Sequence, residues 1–238
     1  MKYYLIMFWL LMPVAAAAYH FGPGQQRIVK DELVRKLSQA DKLVRAEQYP
    51  EAVSAYDDAL KMIPNELPEK RMQVRLEKAK AQMKAGGLPE AYQELNGLMD
   101  EASESTSVTP KFMADIRQTL ANAEYYVTWV LRLEGEPKEV WRPFIESSRQ
   151  TYRLLTEQAA AQNQTQLAAA LQQDLEGTIR LERMTIEELQ GLNLPSQCKC
   201  KGSCKCCCKG KKPGKQGKTP KDFRDGAGMG DEIQRAGS

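Results

Sequence analysis

The sequence predicts an all-α chain of antiparallel helical hairpins. Apolar residues recur at helical spacing from Val29 to about residue 191. Prolines and glycines punctuate that pattern at intervals of one helix length. No stretch alternates apolar and polar residues as a half-buried strand would. With 238 residues and 42% hydrophobic content, the chain has enough apolar material for a core.

Residues 1–18 stand apart. One Lys precedes an apolar run of about 16 residues, short of the roughly 20 that span a bilayer. Ala16 and Ala18 supply the small-x-small pattern of a signal-peptidase site before Tyr19. The expectation is export, to a periplasm or beyond, with no membrane span after cleavage; an uncleaved anchor is the alternative. Asn163-Gln164-Thr165 is a glycosylation sequon, but Asn163 also reads as a helix start signal.

The first hairpin, in a segment 27–101, opens with Leu33, Leu37, Ala40, Leu43 and Val44 on one helix face. Gln48-Tyr49-Pro50-Glu51 breaks it, with Pro at a helix start. Ala52, Val53, Tyr56, Ala59 and Leu60 form the next face, which ends at Pro64-Asn65. From Leu33 to Pro64 the chain resembles a tetratricopeptide repeat: Ala40 in the first helix, Tyr49 at the turn, then Ala52, Tyr56, Ala59 and a closing Pro64. It departs from that pattern at Lys36, where a large residue is expected, and at Glu47, where glycine is expected. A second copy follows at an offset of 39 residues, with Ala79, Gly86, Leu88, Ala91, Leu95 and Leu98 in corresponding places. A generic helical hairpin array packs by the same physics and stays open as an alternative.

Ser/Thr-rich residues 102–109 read as a linker. The segment 110–191 then predicts a long hairpin and a capping helix. Thr109-Pro110 is an N-cap followed by Pro at the first helical position. The buried stripe expected there is Phe112, Met113, Ile116, Leu120, Ala123, Val127 and Val130. After Glu134-Gly135-Glu136-Pro137 comes a stripe of Trp141, Phe144, Ile145, Tyr152, Leu155 and Ala159, with Pro143 in its first turns. Both helices are too long for the repeat family. Leu167, Leu171, Leu175 and Ile179 predict the face of a capping helix. Thr185 and Glu188 have capping-box spacing for one more short turn.

Charge divides the chain in two. From Ser196 onward there are eleven Lys/Arg and four Asp/Glu; Tyr3 to Pro195 holds 22 Lys/Arg against 27 Asp/Glu. A mildly acidic body carries a basic tail that suits an anionic surface. Residues 192–238 are rich in Cys, Lys and Gly and poor in large apolar residues, so disorder is expected there. All six cysteines fall in that tail: Cys198, Cys200, Cys204, Cys206, Cys207 and Cys208. Closely spaced thiolates wrap soft ions such as Zn or Cu(I), and interleaved Lys199, Lys201, Lys205 and Lys209 offset their charge. In composition this piece is similar to a metallothionein. Disulfides within the tail or between chains compete with that reading, because export favours oxidation, and the adjacent Cys206-Cys207-Cys208 tilt them toward partners outside the run.

No catalytic set is legible. His20 is the single histidine and lies beside the cleavage site. The carboxylates form no motif, and Gly226-Ala227-Gly228-Met229-Gly230 lacks the strand of a phosphate loop. Export and a single tail aromatic, Phe223, speak against nucleic acid. The expectation is a non-enzymatic scaffold with no required cofactor. Its protein or peptide partner lies, by the family's pattern, along Val34, Leu37, Asp41 and Val44, then Gln73, Leu76, Lys80 and Met83. For each apolar member, core packing is the alternative role.

Overall fold

The computed structural model describes residues 25–190, together with Trp9 and Met12. The described residues are all-helical, without strands. The helices are α1 (Gln25–Arg45), α2 (Tyr49–Met62), α3 (Pro68–Ala85), α4 (Leu88–Glu104), α5 (Pro110–Leu133), α6 (Lys138–Ala161), α7 (Thr165–Arg183) and α8 (Ile186–Gln190). They form two compact units that part between Ala81 and Gln82. The division thus falls inside α3 rather than in the linker, because α4 packs on α5. Helix α4 runs to Glu104, so Ala102–Glu104 of the expected linker are helical.

In the first unit α1 and α2 pack as an antiparallel pair. Its core joins Leu33 and Ala40 of α1 to Ala52, Ala55, Tyr56 and Ala59 of α2, then Ile63, and Val74 and Ala81 of α3. Ala40, Ala52 and Ala59 are fully buried. Small residues at these points let helix axes approach to the short end of the usual 8–10 Å. Arg71 closes the α2–α3 loop by donating to the Ile63 carbonyl and the Asn65 amide oxygen.

One turn recurs through the chain. At the ends of α1, α3, α5 and α6 the backbone enters the left-handed region at Glu47 (φ 60°), Gly86 (91°), Gly135 (81°) and Asn163 (59°). The following N–H reaches back five residues in each case, from Gln48 to Leu43, Gly87 to Gln82, Glu136 to Leu131 and Gln164 to Ala159, all at 2.9 Å. The left-handed residue's own N–H reaches back three. This is the Schellman closure, which satisfies carbonyls that a helix end leaves open. Three of these turns are near copies, with the next cap at φ/ψ of −91°/68° (Gln48), −87°/53° (Gly87) and −85°/68° (Gln164). The same turn therefore returns at the α6–α7 junction, where the sequence shows neither Pro nor Gly.

Gly86 and Gly135 meet the left-handed requirement without a Cβ, and Asn163 tolerates it. Glu47 does not. Replacing Glu47 by Gly is expected to raise stability by about 0.5–1 kcal/mol, since a side chain in this region costs about 1–2 kcal/mol and glycine's extra unfolded entropy returns part of it. Urea denaturation of the two proteins checks this; an unchanged or lower midpoint contradicts it.

The second unit packs α5 against α4, α6 and α8, and α6 against α7. Thr109 caps α5 through Phe112 N, and Pro110 stands at the first turn, as the sequence predicts. The buried face of α5 is wider than expected. Ile116 and Ala123 are buried, but so are Thr119, Glu124, Thr128 and Arg132, while Phe112, Met113, Leu120, Val127 and Val130 are half-buried. A helix with neighbours on three sides has no single stripe. On α6, Trp141, Ile145, Tyr152, Leu155 and Ala159 are buried as expected; Phe144 is half-buried and meets Tyr92 edge-to-face at 5.7 Å.

Helix α7 corrects a second stripe. Leu171 is buried, but Leu167 is exposed and Leu175 and Ile179 are half-buried. The packed face instead follows Leu171, Asp174, Gly177, Thr178 and Leu181. Strict i+4 spacing advances about 40° per step on a helix of 3.6 residues per turn, so four such residues spiral off any one face. The capping box at α8 forms: Thr185 N donates to Glu188 at 2.8 Å and Glu188 N to Thr185 Oγ1 at 3.3 Å. Leu189 is then fully buried in the second core.

Candidate partner-binding face and buried polar joint

The predicted binding residues of the first unit lie on α1 and α3. Val34 is 64% exposed, Asp41 is exposed, and Leu37 and Val44 are half-buried. Successive spacings of three, four and three residues set these four along one side of α1. On α3, Gln73 is exposed and Lys80 is half-buried in an ion pair with Glu77 at 2.8 Å. Leu76 is only 2% exposed, so it serves the interior rather than the surface. Met83 is half-buried and belongs to the second unit.

Tyr56 ties this face to the core. Its ring is buried and its hydroxyl donates to Asp41 Oδ1 at 2.8 Å. Burial first, then the bond to Asp41 and the charges of Asp41 and Glu77, push the phenol well above its ordinary range. It therefore stays a neutral donor, and the charges of Asp41 and Glu77 both act on it. Lys36 reaches Asp58 at 3.3 Å and Lys78 reaches Asp57 at 2.6 Å, clipping α1 and α3 to α2. Half-exposed pairs of this kind contribute about 0–1 kcal/mol each, so they orient more than they stabilise. Reading residues one face at a time missed Glu77; its (i, i+3) spacing from Lys80 was the available signal.

The second unit holds a buried polar joint. Arg132 of α5 is 7% exposed. Its guanidinium donates to the Leu181 and Met184 carbonyls at the end of α7 and stacks over Trp141 of α6, 4.9 Å from the ring centre. About two turns earlier on α5, Glu124 is 6% exposed and bonds to Ser147 of α6. Burial raises its carboxyl from the ordinary 4.5 to about 7, with the Ser147 bond opposing. Ser148 donates to the Ala121 carbonyl at 2.7 Å, holding α6 close to α5. Tyr125, Tyr126 and Trp129 stack edge-to-face at 5.5 and 6.0 Å beside this joint. Polar residues on a helical stripe read as solvent-facing in sequence, so Glu124, Thr128 and Arg132 gave no sign of burial.

The six tail cysteines and, apart from Trp9 and Met12, the expected signal segment lie outside the described residues. Among the described residues no group of three or more His, Cys, Asp or Glu is placed to hold a metal ion. Nor is any described helix long and apolar enough to cross a membrane. The chain matches no protein-family model, no curated protein and no solved structure.

Proposed function

We propose that this is an exported, non-enzymatic interaction scaffold of the tetratricopeptide-repeat type, with its partner-binding face on α1 and the exposed edge of α3. The observation that carries the reading is the open side of α1. Val34 stays 64% exposed about two turns before Asp41 on the same side of α1, and the Asp41 carboxylate is held in place by the buried Tyr56. An apolar anchor and an oriented acceptor two turns apart on one side of a helix suit a short peptide or a partner helix. The recurrent turn supports a repeat origin, because near-identical caps close hairpins in both units.

The test is panning of a random-peptide library on the full chain, with rebinding measured to Val34→Glu and Asp41→Lys variants. Enriched peptides should lose at least ten-fold in affinity to either variant. Peptides that bind all three proteins equally, or no enrichment, would remove α1 as the binding face.

A second reading rests on the tail. Six thiols within eleven residues, interleaved with three lysines and followed by Lys209, favour Zn or Cu(I) binding. Intact mass of the chain recovered without reductant decides it. Metal adducts that vanish on denaturation support the reading; hydrogens lost in pairs, or a covalent dimer, replace it with disulfides.

A further inference from the structure

We propose that Asn163 is an N-glycosylation site, its amide nitrogen carrying an oligosaccharide at the tip of the α6–α7 hairpin. The modification requires export and so rests on that part of the scaffold reading.

The sequence leaves Asn163 two roles, helix start signal or glycan acceptor. The structure removes the first. The residue at the cap of α7 is Gln164, at φ/ψ of −85°/68°, and no side chain there bonds to the open N–H groups of the helix. Asn163 stands one place earlier, and its side-chain amide bonds to no described residue. The Gln164 amide donates to Gln162 Oε1 at 3.0 Å instead. The left-handed backbone at Asn163 accounts for Asn or Gly at that position. It does not account for a hydroxyl two residues on. Thr165 is exposed, and its hydroxyl likewise bonds to no described residue.

A glycan needs room, and the tip provides it. All residues from 160 to 167 are exposed. Ala159 and Leu171, which belong to the second core, lie on either side of that stretch. A sugar on Asn163 therefore displaces no packed side chain.

The tip is also without charge. Residues 158–173 hold no Lys, Arg, Asp or Glu, in a chain that is 27% charged. It is the longest such run after residue 26. Leu167 meets water within it, 41% exposed. Interspersed charges are the usual means of keeping such a surface soluble. A glycan is bulky and solubilising and supplies the missing hydration.

The transfer balances as a substitution at the sugar. The donor is an oligosaccharide linked to a lipid diphosphate. A bond forms from Asn163 Nδ2 to the anomeric carbon, and the bond from that carbon to the diphosphate oxygen breaks. The lipid diphosphate leaves with the electron pair, and one amide proton is released. Thr165 supplies the hydroxyl of the acceptor motif, and Gln164 between them is not the Pro that would bar it. Asn65, Asn96, Asn122 and Asn193 have no Ser or Thr two residues on, so one substitution removes every acceptor of this kind.

Peptide mass mapping of the full chain, purified from its own cells and their medium, tests the site. The peptide that spans Asn163 should carry an oligosaccharide, and peptide-N-glycosidase should remove it and leave aspartate at that position. Asn163→Gly suits the left-handed turn and should abolish the modification without loss of helicity, checked by circular dichroism. Thr165→Ala should abolish it while the amide remains, and Thr165→Ser should keep it. A chain that begins at Tyr19 with Asn163 bare would overturn the proposal and leave export standing. A chain retained with residues 1–18 intact would overturn the export reading and the proposal with it. Sugar on the hydroxyls of residues 103–109 with Asn163 bare, or an Asn163 adduct that Thr165→Ala leaves unchanged, would also overturn it.

Discussion

Replacing Arg132 by Met is expected to destabilise the second unit by about 3–4 kcal/mol, the largest effect of any single substitution considered. A buried guanidinium bonded to two backbone carbonyls is a charge-assisted contact of about 1.5–3 kcal/mol net. Its Trp141 stacking adds about 1–2 kcal/mol. The Leu181 and Met184 carbonyls belong to the end of α7, where a helix leaves acceptors open. A cation there also meets the negative end of the helix dipole. Methionine fills much of the space but leaves both carbonyls without a donor. Arg132→Lys should recover less than half of the loss, because an ammonium is a point donor and not a planar fork. Urea denaturation measures the change. Hydrogen exchange should show the loss concentrated from Leu181 to Leu189, the joint just before the tail. A destabilisation under 1 kcal/mol, or one spread evenly over the unit, would mean that the guanidinium is not the clamp described.

Glu124→Gln should remove a pH dependence that the wild type shows between about pH 4.5 and 7. The folded carboxyl sits near 7 and the ordinary value is 4.5. A raised acid favours the folded state only while protonated. Its contribution is therefore complete below about pH 4.5, falls as pH rises and is gone above about 7. A shift of that size corresponds to about 3 kcal/mol between the two plateaus. Glutamine keeps a hydrogen-bonding partner for Ser147 and never ionises. The variant should match the wild type near pH 4.5 and exceed it by about 2–3 kcal/mol at pH 8. Parallel stability curves from pH 5 to 8 would show that Glu124 does not carry the dependence.

Where packing is one-sided, the sequence was readable. Ala40, Ala52, Tyr56 and Ala59 on α1 and α2, Ala91, Leu95 and Leu98 on α4, and the Thr109 and Thr185 caps are found where spacing and side-chain chemistry place them. Where a helix is enclosed, it was not. Glu124, Thr128 and Arg132 look like a solvated row on α5 and are interior, because α4, α6 and α8 all pack against that helix. Leu167 looks like core and is exposed, because its i+4 series drifts around α7. Of the expected binding row, the α1 residues keep some solvent access and Leu76 loses it.

Local rules act within one helix or turn, and there the sequence alone settled the helical class, the hairpin breaks, the caps and the separation of an acidic body from a basic, thiol-rich tail. Burial depends on how many neighbours surround a helix, and that is decided by contacts between residues far apart in the chain. Arg132 meets carbonyls 49 and 52 residues away, and no pattern within α5 announces them. Only the tertiary structure decided which polar side chains became interior, where the chain divides into units, and that the α6–α7 turn repeats the first two, since backbone angles can recur under side chains that do not.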